Sequence, residues 1–71
     1  MTDDVSKWLS DIGKRLVRLR GSRTQEEVAK ALGCSISAIG MYERGERMPR
    51  DEMKIAIAKY YDTTVQSIFF N

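Results

Sequence analysis

The side chains best equipped for chemistry in this chain of 71 residues are its arginines, and they fall in two groups. Lys14, Arg15, Arg18, Arg20 and Arg23 form the first, with no acid between positions 14 and 23. Arg44, Arg47 and Arg50 form the second. Guanidinium groups present a rigid fork of donors that suits carboxylates and phosphates. Between the two groups lie the hydroxyls of Thr24, Ser35 and Ser37 and the amide of Gln25. This set can bind anionic groups and read hydrogen-bonding edges. Bond-making chemistry has no comparable set. The chain has no histidine, and its single cysteine, Cys34, has no imidazole to activate it. Glu26/Glu27 and Asp51/Glu52 sit where helices begin, where acids complement the helix dipole. Metal ligation also lacks suitable side chains. The expectation is a binding protein, not an enzyme, with no cofactor and no metal.

The elements that must carry these residues read as helices. Nothing alternates long enough for a strand, whereas apolar residues recur at helical spacing. The first helix is expected from about Asp4 to Arg20, capped by Asp3 or Asp4. Trp8, Ile12, Leu16 and Leu19 form its apolar stripe, widened by Leu9 and Val17. Gly21 and Ser22 stop it. The second helix starts at Thr24, and Thr24 with Glu27 makes the S/T-x-x-E/Q pattern of a capping box. Val28, Ala29 and Leu32 are its inner face, and Gly33 suits a left-handed C-terminal residue. The third helix is capped by Ser35 and runs to about Arg44, with Ile39 and Tyr42 inward and Gly45 as its C-cap. After a loop from Glu46 to Pro49, a fourth helix is expected from about Asp51 to Tyr61. Pro49 stands just ahead of it, where a missing N–H does no harm. Ile57, Ala58 and Tyr61 face its core side. A short fifth helix, Thr64 to Phe70, packs Val65, Ile68 and Phe69 inward.

The second and third helices, about 24–44, are joined by a tight turn. Ala29 is small where the helices cross, Gly33 allows the positive φ of the turn, and Ile39 plugs the angle between them. Such a helix-turn-helix pushes its second helix into the major groove of DNA. The outward face of the third helix then carries Ser35, Ile36, Ser37, Gly40 and Met41. Serine hydroxyls can bond base edges, Ile36 and Met41 can pack on thymine methyl groups, and Gly40 lets the helix come close. Without Arg, Asn or Gln at these positions, discrimination is expected to be modest or assisted by DNA shape. Phosphate contacts are expected from Arg23, Thr24 and Gln25 at the start of the second helix, and from Arg44, Arg47 and Arg50 beyond the third. Glu43, at the inner edge of the third helix, needs a partner if it is partly buried, and Arg18 is expected to supply it.

These residues resemble the phage-repressor and Cro-like helix-turn-helix family, often called the XRE family. The resemblance spans roughly Ile12 to Phe69. It rests on IGKRLVRLR, TQEEVAKALG, SAIGMYERG, Pro49 and IAKYYDTTVQSIF. The ending, PRDEMKIAIAKYYDTTVQSIFFN, is similar to small regulators of Gram-positive phages, prophages and conjugative elements. The resemblance implies an all-α, compact five-helix, lambda-repressor-like DNA-binding domain. It also implies a backbone contact at Gln25, base-reading positions at Ile36, Ser37 and Met41, and an ion pair between Arg18 and Glu43. Where many members have Gly-Leu before the second helix, this chain has Ser22-Arg23. The Arg23 stem is expected to pack while its head reaches phosphate. Cys34 falls where the family has small apolar residues, which implies a packing role.

Seventy-one residues make one expected domain, 1–71. No stretch approaches the roughly 20 apolar residues of a membrane span. The acidic MTDDVSKW start does not read as a signal peptide, and an unpaired cysteine suits a reducing compartment, so a cytoplasmic location is expected. So small a reader gains specificity by doubling its site. The expected function is a homodimeric regulator, in the first instance a repressor, on a palindromic double-stranded operator. Its dimer surface is expected at Tyr60, Phe69 and Phe70. Control is expected from its own concentration, from a partner protein such as an antirepressor, or from proteolysis. The alternative is a protein-interaction module of antitoxin or antirepressor-partner type, using exposed Ile36 and Met41.

Overall fold

The computed structural model describes residues 3–71, and of Asp3 the backbone alone. Five helices follow in chain order: α1 (Asp3–Arg20), α2 (Gln25–Leu32), α3 (Ile36–Glu43), α4 (Asp51–Tyr60) and α5 (Val65–Phe69). No strand occurs among the described residues. α3 packs on α1 and α2, α4 on α2 and α5, and α5 closes back onto α1. The core is Ile12, Leu16, Val28, Ala29, Ile39, Tyr42, Ile57, Ala58, Ile68 and Phe69, with Cys34 and Tyr61 packed at its margin.

Local chemistry sets the helix ends. The Thr24 hydroxyl accepts from the Glu27 N–H at 3.0 Å, and the Glu27 carboxylate accepts from the Thr24 N–H at 3.4 Å, which completes the expected capping box. Ser35 caps α3 by accepting from the Ala38 N–H at 3.0 Å, and Thr64 caps α5 through the Ser67 N–H. Three helices then end the same way. Gly33, Gly45 and Asp62 all have positive φ, and the next residue donates back five positions: Cys34 to Ala29, Glu46 to Met41, Thr63 to Ala58. This is the Schellman arrangement, which satisfies carbonyls the helix leaves open. Gly45 is the left-handed residue after the cap, and the capping position itself is Arg44. At Asp62 an aspartate holds the same left-handed conformation at φ 56°.

Two expectations about α1 change. Asp3 and Asp4 are both already helical, so Asp4 is no cap, and the residues ahead of Asp3 lie outside those described. Val17 is exposed, because the buried stripe narrows to Ile12 and Leu16. The close crossing of α1 and α3 runs through Gly13. A side chain there would meet the carbonyl of Glu43 and come within 3.1 Å of the Gly45 nitrogen. The C-terminal end is tied to α1 by side chains. The Trp8 indole N–H donates to the Phe69 carbonyl at 3.0 Å, and Arg15 donates to the carbonyls of Ile68 and Asn71.

Candidate nucleic-acid interface

The centre of the site is Glu43, on the last turn of α3, with its side chain only 5% exposed. A carboxylate so placed is costly unless its lone pairs are filled. Arg20, at the end of α1, fills two of them, with Nε 2.7 Å and Nη2 3.1 Å from the carboxylate oxygens. Gln25, at the first position of α2, donates Nε2 at 2.8 Å. One carboxylate thus joins three helices and fixes the angle of α3. The bond to Glu43 raises the Arg20 pKa, against the opposing effect of burial. Glu43 also helps push the Tyr61 phenol up to about 12, after burial as the larger cause.

The partner is Arg20 and not Arg18. Successive residues of a helix are turned by about 100°. Arg20 therefore stands about 40° around from buried Leu16, on the edge of the core face, while Arg18 stands on the far side. That geometric signal was available in the sequence. Arg18 instead lines a cleft between α1 and α5 with Arg15, Thr63 and Ser67.

The expected base-reading residues divide. Ser35, Ile36 and Ser37 are exposed, Ile36 at 48%, and Met41 is half-buried. Gly40 is buried, because the Arg44 guanidinium lies across it; a Cβ on Gly40 would stand 2.8 Å from Arg44 Nη1. Gly40 is therefore no open point of approach. The expected phosphate residues divide as well. Arg47 and Arg50 are exposed, and no carboxylate lies within ion-pair distance of either among the described side chains. Arg44 is exposed but paired with Glu46 at 3.0 Å. Thr24 is exposed at the mouth of α2 beside Gln25, whose amide is already engaged by Glu43.

Arg23 differs most from expectation. Its Nη1 donates to the carbonyls of Leu19 and Arg20, and its guanidinium lies 5.3 Å and 5.5 Å from the ring centres of Tyr60 and Tyr61. The head, not only the stem, is bound to the protein, so it closes the α1 C-terminus and links it to α4. Tyr60 is half-buried under it. Phe69, expected on a dimer surface, is 0% exposed and belongs to the core. Phe70 is 53% exposed, with Trp8 beside it at 39% and a ring separation of 6.4 Å. Cys34 is half-buried against the core, and burial raises its thiol pKa, the opposite of what an activated nucleophile needs. No described helix is long and apolar enough to cross a membrane.

Two short capped helices meeting through Ala29, Gly33 and Ile39, with the outer side of the second left open, define a helix-turn-helix domain. A helix-turn-helix family model, HTH_3, matches residues 14–68, and the chain belongs to that family. Among solved structures, the restriction-modification controller protein C.AhdI from Aeromonas hydrophila is similar at 30% identity. That match covers 86% of this chain and 96% of the other, with a TM-score of 0.77. An HTH_3 family transcriptional regulator from Vibrio cholerae is similar at 28% identity and a TM-score of 0.76, over 92% of this chain and 38% of that one. The SOS-response transcriptional repressor LexA from Eubacterium rectale shares the fold, with a TM-score of 0.84 at 22% identity, over 92% of this chain and 71% of the other. A comparison with curated protein sequences gives no match. The family and these neighbours support the coarse reading of a DNA-binding transcriptional regulator.

Proposed function

We propose that residues 1–71 act as one sequence-specific, double-stranded DNA-binding unit that represses transcription by occupying a two-fold operator. The observation that carries the reading is the setting of α3. Its exposed edge of Ile36 and Ser37, with half-buried Met41, stands in the chain between the capped start of α2 and Arg47 and Arg50, which have no carboxylate within ion-pair distance among the described side chains. The major groove is about 12 Å wide and admits such a helix. Ser35, Ser37, Ile36 and Met41 then face base edges. Arg47 and Arg50 meet the flanking phosphates, and Thr24 and the α2 N–H groups meet the phosphates on the other side. Gln25 spends one amide N–H on Glu43 and keeps the other for a phosphate oxygen.

Dimerisation fits the exposed aromatic pair Trp8 and Phe70, with Val5 a turn away on α1 and also exposed. Tyr60 lies under Arg23 and is a weaker contributor. A small repressor of a phage or other mobile element, held in the cytoplasm and answering to a protein antirepressor, agrees with the sequence resemblance. Exposed Ile36 also suits the second reading, a protein-interaction module.

The test is selection from random-sequence duplexes at two salt concentrations, followed by sequencing. An enriched palindrome whose binding weakens steeply with salt supports the reading. No enrichment overturns it and favours a protein partner for α3. Gln25→Ala is expected to weaken all sequences about equally, and Ser37→Ala or Met41→Ala to change preference.

A further inference from the structure

Arg44 and Glu46 form a pair that neither the fold nor the site described above requires. Both stand at the C-terminal end of α3, and both side chains are more than half exposed. Exposed ion pairs contribute little to stability. This one is nonetheless built. Arg44 Nε and Nη2 donate to the two Glu46 carboxylate oxygens at 3.0 Å and 3.2 Å, a two-pronged geometry. Glu46 springs from a fixed point, because its N–H donates to the Met41 carbonyl at 2.9 Å. The preceding Gly45 is pressed against α1 so closely that a Cβ would stand 2.9 Å from the Leu9 carbonyl oxygen. The Arg44 guanidinium lies across Gly40, where a Cβ would stand 2.8 Å from Nη1. A carboxylate on an anchored stretch of backbone therefore holds the Arg44 guanidinium beside the face of α3.

We propose that Glu46 is a specificity-determining residue that acts by keeping Arg44 off DNA except at a site that can compete for it. The inference rests on the DNA reading given above. Phosphates along any duplex attract a free arginine regardless of sequence. With Arg44 held by Glu46, a random site must break a two-pronged bond and also accept a carboxylate near its backbone. A matched site docks α3 fully and presents Arg44 with a contact whose geometry replaces the one lost. The pair thus suppresses binding to wrong sequences more than binding to the right one.

The experiment measures binding of the full chain to a random-sequence duplex pool and to the operator recovered by selection, across a salt series. It uses the native protein, Glu46→Gln, Arg44→Ala and the double variant. Glu46→Gln is expected to tighten random-duplex binding five- to tenfold. It is also expected to steepen the logarithmic salt slope by about one, the signature of one added phosphate contact. The operator gains less, so the ratio of operator to random affinity falls. In the Arg44→Ala background, Glu46→Gln is expected to change random-duplex binding less than twofold. Equal tightening on both duplexes overturns the proposal. A gain that persists without Arg44 also overturns it, because Glu46 then acts as a simple like charge. Native protein that shows no salt-dependent duplex binding overturns the DNA reading, and the inference with it. Native binding with unchanged variants overturns the inference alone.

Discussion

Replacing Arg20 and Arg18 in turn tests which of the two α1 arginines Glu43 depends on. Arg20→Ala removes two of the three donors to a carboxylate that is 5% exposed, leaving only Gln25 at 2.8 Å. Breaking a fully buried pair from one side costs about 3–5 kcal/mol. The Arg20 side chain is itself 21% exposed, so water relieves part of that, and about 2–3 kcal/mol is expected. A domain of this size has roughly 4–10 kcal/mol of stability in all. The loss corresponds to a fall in Tm of roughly 10–20 °C. Arg18→Ala changes an exposed side chain with no ion-pair partner among the described side chains and is expected to stay within about 0.5 kcal/mol. Urea unfolding followed by circular dichroism at pH 7 gives both numbers on one axis. Equal losses for the two variants, or the larger loss for Arg18→Ala, would refute the three-helix role of Glu43.

Three further outcomes follow from single positions. Gly13→Ala is expected to destabilise by about 2 kcal/mol in the same unfolding assay, because overpacking against the Glu43 carbonyl exceeds the roughly 1 kcal/mol gained in helix propensity; a stabilised variant would mean the α1–α3 crossing is looser than described. Asp62→Gly is expected to raise stability by about 0.5–1 kcal/mol, since glycine adopts φ 56° without a Cβ penalty; a lowered Tm would indicate an undetected role for the carboxylate. Tyr61 has its phenol raised to about 12 from 10.0, so the folded state holds that proton more tightly than the unfolded chain. Its contribution is complete below pH 10 and is lost as pH climbs to 12. Tyr61→Phe is expected to flatten the fall of the denaturation midpoint over that window, and an unchanged slope would count against the buried-phenol cause.

Much of the fold was legible because it is written in local chemistry. Thr24 with Glu27, Ser35 and Thr64 start helices through their own side chains, and Gly33 ends one through its own backbone freedom. Ala29, Ile39, Ile57, Ala58 and Ile68 are buried as their spacing indicates. Such signals need only neighbours within a turn or two, so a string of residues carries them. The tight turn that joins α2 to α3 followed from the same local chemistry.

The tertiary structure decided which long side chains meet. The helical turn alone favours Arg20 over Arg18 as the α1 arginine nearer the core, but that the carboxylate it meets is Glu43 follows only from the crossing of α1 over α3 at Gly13. Arg23 looked free for phosphate, yet the end of α4 places Tyr60 and Tyr61 beneath its head. Gly40 looked open, yet Arg44 folds back over it toward a carboxylate that the turn after α3 holds in place. Phe69 and Phe70 are adjacent and alike in the sequence, but the return of α5 onto α1 buries one and leaves the other beside Trp8. Helix starts and stops depend on contacts a few residues apart and are set by sequence alone. The Arg20–Glu43 pairing and the choice between adjacent aromatics depend on segments brought together from 23 and 61 residues apart, and that placement exists only in the folded chain.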